Sequence, residues 1–259
     1  MSTATLDEKK VLRKQRRVRE KEKKIFMAHA LHEQPLPKIE TQGLQYLRNS
    51  LGLLPGSRNP DALDAIFVAI DFEYSHFSAK TGHIRLREVG ISKFDTRDIR
   101  CKNPKKVISS LHYRTVTDTK KFLFGKSIDI EQSELVLLLK DLLIPEEKSS
   151  KKSRKLILVG HGFSSEIQVL RGLGINLALA PTVDNILDTH YLGLEAFGKN
   201  FNLSRLTGQL RMQGSHFHNA GNDANFALRA MLLLVIDNFS PADSSHQSRL
   251  ETYEKIARF

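Results

Sequence analysis

The chain of 259 residues has a single cysteine, Cys101, and no long apolar run. One cysteine excludes an intramolecular disulfide and is typical of proteins kept in reducing compartments. The apolar stretch at residues 230–236 is far shorter than the roughly 20 residues that a membrane-spanning helix needs. The charged N-terminus gives no sign of a secretory leader. We therefore expect no membrane segment and a location in the cytoplasm, the nucleus or both.

Basic residues exceed acidic ones and give a net charge of +11. Much of this excess lies in residues 9–24, which read KKVLRKQRRVREKEKK. Such a run is most often a solvated helix or a disordered arm, and alternatively a phosphate contact or a nuclear import signal. The charge balance favours a polyanionic partner. Nucleic acid is the first candidate and an acidic membrane surface is the second.

The positions of prolines and glycines predict one folded domain with an N-terminal extension. Prolines and glycines between residues 34 and 60 indicate a linker with a short helix near residues 44–51. We assign residues 1–60 to a basic helical or disordered extension and linker, and residues 61–259 to one domain that includes a C-terminal helix. A possible role of the extension is to dock a protein partner.

Within that domain the patterns predict an α/β fold. Three strands come first, and strands then alternate with helices, which predicts a mixed five-stranded sheet flanked by helices. The predicted strands lie at residues 65–73, 85–94, 106–116, 156–159 and 185–188, and the helices at residues 130–143, 164–173, 203–210 and from 222 onward.

The first strand ends in two carboxylates. The segment AIFVAIDFE is apolar from residue 65 to residue 70 and then places Asp71 and Glu73 two positions apart. Residues i and i+2 of a strand point to the same face, so both carboxylates project together. Like charges this close repel unless a cation or a shared proton compensates them. The spacing therefore indicates a divalent metal site.

A later segment, HNAGNDANFALRAMLLLVI, opens a long helix. Asn219 and Asn222 are both suitable N-cap residues. Asp223 then falls in the first helical turn, where the exposed N–H groups favour an anion. His218 lies just ahead of the helix, and histidine is a residue type well suited to removing a proton from a water molecule.

A third segment, KLILVGHGFSSEIQVL, predicts a buried strand, a turn and a helix. Glu166 lies in the first turns of that helix, with Ile167 and Leu170 on the inward face. If this strand lies beside the first strand, Glu166 reaches the same site as Asp71.

Together these segments resemble the DEDDh group of RNase H-like 3′-5′ exonucleases. The likeness rests on DxE at Asp71 and Glu73, an acidic residue after the GH turn, and HxAxxD from His218 to Asp223. It covers roughly residues 62–239. The segment HNAGNDA is similar to that of the fungal Gfd-type branch, and REVGI at residues 87–91 resembles the second strand of the family.

The resemblance implies that Asp71, Glu73 and Asp223 are metal ligands and that His218 is the general base. With Glu166 as a further ligand, they would hold two Mg²⁺ or Mn²⁺ ions, since carboxylates suit hard cations. The implied substrate is the 3′ end of RNA or DNA.

Glu166 stands where the family usually has aspartate. It keeps the charge but moves the carboxylate outward by one methylene, and a misplacement of about 1 Å can cost about a hundredfold in rate. Three functions therefore stay open: an active exonuclease, a catalytically weak or inactive nucleic-acid-binding protein with the same fold, and an adaptor in an RNA pathway.

Residues near the site carry further expectations. Tyr74 and Phe77 follow the first acids and are expected either to stack on a terminal base or to pack at the edge of the core. Asp188 is expected to act as a helix cap or to support the site from behind.

Overall fold

The computed structural model describes residues 43–54, 64–77, 84–101, 103–143, 154, 156–177, 180, 182–237, 239 and 244–259, with the backbone alone for residues 76, 77, 244 and 245. The basic run at residues 9–24 and most of the predicted extension lie outside the described residues. The strands are β1 Ile66–Phe77, β2 Ile84–Asp95, β3 Ile108–Arg114, β4 Ser127–Asp129, β5 Leu156–Gly160 and β6 Val183–Asp188. The α-helices are α1 Gly43–Ser50, α2 Gln132–Leu143, α3 Ser164–Gly172, α4 Thr189–Phe197, α5 Leu203–Gln209, α6 Ala220–Ile236 and α7 Ser244–Arg258.

The strands form one mixed sheet in the order β4-β3-β2-β1-β5-β6. Strands β1, β2 and β3 are antiparallel neighbours, whereas β5 and β6 add in parallel on the other side of β1. The predicted mixed α/β sheet is therefore confirmed. Its strand number was wrong by one, because β4 is only three residues long and joins the edge of β3 through residues 127–129.

Two hydrophobic layers cover the sheet, as the alternation of side chains along β1 requires. Phe67 and Ala69 pack into the layer that contains α6 and α7. Val68, Ile70 and Phe72 pack into the opposite layer with α2 and α3. Residues 71 and 73 continue the first series and therefore project on the side of α6.

Helix α6 is the centre of the first layer. Nearly all of its residues are buried, which fits a helix that is hydrophobic on all sides. Helix α1 lies where the sequence predicted a short helix, and its Leu44 and Leu47 are buried in the same cluster. Helix α4, whose first residue follows directly on β6, was not among the predicted helix ranges, although Asp188 was expected as a helix cap. None of the described helices is long and apolar enough to cross a membrane.

Candidate metal and catalytic site

The site is built at the end of β1, where Asp71 and Glu73 lie on the α6 side of the sheet. Across the strand pair Asp71 is opposite Gly90, and Glu73 is opposite Glu88. The register shifts just after Glu73, which ends the regular pairing at that carboxylate. Both acids are partly exposed, whereas Phe72 between them is buried on the opposite face.

The first turn of α6 brings Asp223 over this strand end. Asn219 is the N-cap, and its side-chain oxygen accepts a hydrogen bond of 3.0 Å from the backbone N–H of Asn222. The helix can approach so closely because position 90 is glycine: a Cβ there would lie 1.8 Å from the carbonyl oxygen of Ala220. A glycine in β2 thus positions the acidic residue of α6.

His218 precedes the helix with its side chain turned to solvent. Its backbone N–H donates a hydrogen bond of 2.8 Å to Oδ2 of Asp223. Its φ of 62° is left-handed, which is uncommon outside glycine, and His216 has a similar φ of 55°. The imidazole is 82% exposed, and its Nδ1 lies 3.8 Å from Oε1 of Glu73. The loop therefore presents a basic side chain at the open side of the acids.

Glu166 lies on α3, in the other layer. The turn before α3 is fixed by Asp188, whose carboxylate accepts hydrogen bonds of 2.8 Å from the N–H groups of Gly162 and Phe163. Asp188 also caps α4, so the predicted capping role of this residue is confirmed. Glu166 is only 6% exposed, and the hydroxyl of Ser165 donates a hydrogen bond of 3.1 Å to its carboxylate.

Within the part of the chain that the structure describes, Glu73, His218 and Asp223 form a group whose possible ligand atoms all lie within 4.8 Å of one another. Asp71 and Glu166 are outside this group but belong to the same electrostatic centre. Burial raises the pKa of Asp71 well above its ordinary value, and the charges of Glu166, Asp223 and Glu73 raise it further. Glu73 and Asp223 thus lie within ligand distance of each other, and Asp71 is close enough to the carboxylates of α3 and α6 to be affected by their charges.

The carboxylate of Asp223 lies in an environment that disfavours its charge. Burial and the charge of Glu73 raise its pKa to about 6, although the N–H of His218 opposes the shift. Its second oxygen, Oδ1, is buried and has no hydrogen-bond partner among the described residues. A buried acceptor without a partner is unfavourable, and a cation beside it would satisfy the oxygen and offset the repulsion. This donor set fits a hard divalent ion.

A buried network behind the site was not predicted from the sequence. The Glu88 carboxylate is 3% exposed and accepts hydrogen bonds from Nε2 of His112 at 2.8 Å and from Nδ2 of Asn219 at 2.9 Å. The other N–H of the Asn219 amide donates to the carbonyl of Lys120 at 3.1 Å, and Nδ1 of His112 lies 2.9 Å from the hydroxyl of Ser127. Glu88 stood in the segment REVGI and Asn219 in HNAGNDA, but neither motif indicated that these two side chains pair. The network ties β2, β3 and the start of α6 together.

The structure bears differently on the predictions for the two aromatic residues that follow the acids. Tyr74 is partly buried and packs against the cluster on the α3 side of the sheet. This contact corresponds to the packing alternative, and base stacking stays a prediction. The side chain of Phe77 lies outside the described residues, so its predicted nucleic-acid contact also stays a prediction.

The comparison with protein families identifies the class. Residues 66–234 match the DEDDh family model described as "DNA polymerase III subunit epsilon-like, C-terminal domain". The match covers more than half of the chain, and the protein belongs to this family. The resemblance first indicated by the DxE and HxAxxD motifs is therefore confirmed, together with the mixed sheet that it implied.

Two fungal proteins are similar in sequence. A nucleolar protein of Schizosaccharomyces pombe, itself uncharacterised, is 28% identical over 183 residues, which are 64% of this chain and 67% of the relative. An uncharacterised protein of Saccharomyces cerevisiae is 26% identical over 243 residues, which are 79% of this chain and 47% of the relative. The chain thus spans about half the length of the second relative.

Two solved structures are more distantly similar. Exonuclease I of E. coli, in complex with a 5cy-dT13 oligonucleotide, has a TM-score of 0.42 at 14% identity and covers 73% of this chain and 42% of its own. Pop2p of S. pombe, in a form with bound Mg²⁺ and Mn²⁺, has a TM-score of 0.39 at 13% identity and covers 82% of this chain and 97% of its own.

Proposed function

We propose that the protein is a metal-dependent 3′-5′ exonuclease that hydrolyses phosphodiester bonds of RNA or DNA. The observation that carries this proposal is the convergence of Glu73, His218 and Asp223 within 4.8 Å, with Asp71 raised in pKa by the surrounding carboxylates. Membership of the DEDDh family supports a nuclease function. The net charge of +11 suits a polyanionic substrate.

The proposed ligands are Asp71, Glu73, Glu166 and Asp223, which would hold two Mg²⁺ or Mn²⁺ ions. Ions bound there would neutralise charge on the phosphoryl group and lower the pKa of water. His218 is the proposed general base. Its exposed imidazole lies on the solvent side of the acids, where it can accept a proton from the attacking water as the phosphodiester bond breaks.

The backbone around His218 suits this role. The N–H of His218 is held by Asp223, so the residue is anchored to one of the proposed ligands while its side chain stays accessible. A left-handed residue at a functional site is a form of local strain that the surrounding structure must hold in place. This anchoring keeps the base near the reacting phosphate without burying it.

A second candidate function is nucleic-acid binding without efficient turnover. The observation that favours it is the identity of residue 166, a glutamate that is held by Ser165 in a nearly buried position. Its longer side chain displaces the carboxylate relative to aspartate, and metal-dependent catalysis is sensitive to such displacements. In this form the chain would act as a binding protein or as an adaptor in an RNA pathway.

The test is degradation of an oligonucleotide with Mg²⁺ or Mn²⁺, labelled at the 3′ end in one reaction and at the 5′ end in another. We expect metal-dependent release of a labelled mononucleotide from the 3′ end and a ladder of shortened products from the 5′-labelled strand. Asp71→Ala should reduce both to background. If the native chain shows no cleavage and Glu166→Asp creates it, binding without turnover is the correct function.

We propose a nuclear location, which the nucleolar S. pombe relative supports. We also propose that the part of the N-terminal extension that precedes helix α1 docks a protein partner. A deletion of residues 1–42 retains helix α1. It should abolish partner binding and leave cleavage intact.

A further inference from the structure

The segment Lys120–Lys126, here called the lysine loop, wraps the first turn of α6. Its backbone is held by the two asparagines of that turn: the carbonyl of Lys120 accepts from Asn219 at 3.1 Å, and the carbonyl of Lys121 accepts from Asn222 at 2.9 Å. The N–H of Leu123 donates to the side chain of Asn222 at 2.9 Å. The loop is therefore joined to the turn that carries Asp223.

The phenylalanines of the lysine loop face inward. Phe122 is 6% exposed and its ring centroid lies 5.3 Å from that of His112. Phe124 packs edge-on against Phe226 of α6 at 5.6 Å and lies beneath the guanidinium of Arg229 at 5.2 Å. These contacts fix the loop on the core, so the aromatic rings serve as anchors.

The lysines of the loop face outward. Lys120, Lys121 and Lys126 are all exposed, and the seven residues of the loop contain no acidic residue. The ammonium of Lys120 donates to the carbonyl of Phe217, next to His218, and its positive charge favours the ionised form of Asp223. The cationic side of the loop therefore begins at the rim of the acidic site.

The sheet register shows how far this surface extends. Asp71 lies opposite Gly90 in β2, which lies opposite His112 in β3, which lies opposite Ser127 in β4. Neighbouring strands are about 4.8 Å apart, so Ser127 is roughly 14 Å from Asp71 across the sheet. Lys126 directly precedes Ser127. The lysines thus cover a path from the acids to the edge of the sheet.

We propose that the lysine loop binds the phosphates of a single nucleic-acid strand whose 3′ end enters the acidic site. The inference rests on the proposed function and adds the surface that holds the substrate. Ammonium groups act as point charges on phosphate without reading bases, and the ring of Phe122 is buried while that of Phe124 is half-buried against α6. Contact at the loop is therefore independent of sequence, and the preformed backbone keeps the cost of ordering low.

The experiment measures binding of a single-stranded oligonucleotide to the full chain in EDTA, so that no cleavage occurs. The test variant combines Lys120→Gln, Lys121→Gln and Lys126→Gln. A control variant removes the same charge from exposed lysines elsewhere, as Lys93→Gln, Lys106→Gln and Lys140→Gln. A third variant replaces the three loop lysines by arginine and keeps the charge.

We expect the test variant to bind at least about tenfold more weakly than the control at 0.1 M salt. Three lost phosphate contacts should also reduce the slope of log affinity against log salt by about 2, since each contact on a single strand contributes about 0.7. The arginine variant should retain the native affinity. Equal affinities of the test and control variants would overturn the inference.

Two further measurements make the result specific. The double variant Lys121→Gln and Lys126→Gln leaves the contact between Lys120 and Phe217 intact, so weaker binding by this variant excludes a displaced His218 as the cause. Poly-aspartate serves as a second probe: if it binds through the loop lysines and the oligonucleotide does not, the partner is an acidic polypeptide and the inference is wrong.

The outcome is independent of hydrolysis. Lysine-dependent binding in a chain that never cleaves would support the loop surface and reject the exonuclease proposal. Cleavage with native Michaelis constant in the test variant would support the exonuclease and reject the loop surface.

Discussion

Three residues at this site have an electrostatic environment or a backbone conformation that is unfavourable in itself. Asp71 and Asp223 both have raised pKa values because burial and neighbouring carboxylates disfavour their charged forms. His218 adopts a left-handed backbone that most residues avoid. Each of these unfavourable states lies where the proposed chemistry needs a charge or a base. Removing such a residue should therefore affect stability and activity in opposite directions.

Asp223→Asn should stabilise the metal-free protein near neutral pH. The folded pKa of about 6 is higher than the ordinary value, so protonated Asp223 contributes stability below about pH 4 that is lost as the pH rises through 6. The isosteric amide avoids this loss, and we expect a gain of about 1–3 kcal/mol at pH 7.5 and little gain at pH 4. Thermal unfolding in EDTA at both pH values measures the difference.

The same variant should lose its response to cations. Mg²⁺ or Mn²⁺ should raise the melting temperature of the native chain at pH 7.5 and much less at pH 5, because protons compete for the carboxylates. Asp223→Asn should show little rise at either pH. A rise equal to that of the native chain would contradict the assignment of Asp223 as a ligand.

His218→Asn should lower activity without affecting cation binding. Asparagine tolerates the left-handed backbone and keeps the N–H that Asp223 accepts, so the loop should stay in place. Loss of the general base should reduce the cleavage rate by about 10²–10⁴-fold. Single-turnover cleavage gives the rate, and the cation-induced rise in melting temperature is the control. An unchanged rate would exclude His218 as the base.

At the scale of elements, the site depends on how closely α6 approaches β2. The helix starts against Gly90, and the network of Glu88, His112 and Asn219 links that start to β3 and the lysine loop. A shift of this helix would move Asp223 and His218 together relative to Asp71 and Glu73. Contacts that look purely structural therefore set the spacing of the proposed ligands.

Gly90→Ala tests this approach directly. The added methyl would lie 1.8 Å from a backbone oxygen of α6, so the helix must move, and we expect a loss of about 2–4 kcal/mol in unfolding free energy. Gly208→Ala in α5 is the matched control, since nothing lies within 4 Å of the added atom. It should be neutral or stabilising by up to about 1 kcal/mol. Urea unfolding compares both variants, and equal effects would reject the close-approach explanation.

Asn219→Ala tests the network, with Asn202→Ala as the control. Both asparagines are N-caps, but Asn202 is exposed and caps only α5. Its removal should cost about 1 kcal/mol. Removal of Asn219 also takes partners from Glu88 and Lys120, and we expect about 2–4 kcal/mol together with a weaker cation response. Similar losses in the two variants would show that Asn219 acts as a cap alone.

At the scale of the whole molecule, the fold extends beyond the DEDDh match. The match covers residues 66–234, whereas α1 and α7 lie on either side of it and bury leucines and Tyr253 in the same cluster as α6. The hydroxyl of Tyr253 donates to the carbonyl of Leu51 at 2.9 Å, and its ring packs edge-on against Phe94. We propose that the folded unit begins with α1.

Tyr253 therefore links both flanking helices to the sheet. Tyr253→Phe should cost about 1–3 kcal/mol, because the buried carbonyl of Leu51 loses its partner. Tyr253→Ala should cost about 3–5 kcal/mol, because a cavity is added next to Phe94. Urea unfolding of the full chain measures both. If neither variant is destabilised, the flanking helices are not part of the cooperative unit.

Local patterns in the sequence predicted much of this architecture. The apolar run of β1 and the capped start of α6 carry their own signals, which explains why the mixed sheet and the proximity of Glu73, His218 and Asp223 were predictable. Strand β4 is too short to show alternation, and α4 follows β6 without a loop. The pairing of Glu88 with Asn219 joins residues 131 positions apart, so no local pattern could reveal it.

The distribution of the acids along the chain has a consequence for synthesis. Asp71 and Glu73 leave the ribosome before Asp223 and the helix that positions it, because all the strands of the described sheet precede that helix in the sequence. A nascent polypeptide that ends before His218 lacks both the proposed general base and Asp223. The proposed hydrolytic centre can therefore form only after α6 has been translated, and shorter products should be unable to cleave nucleic acids near the ribosome.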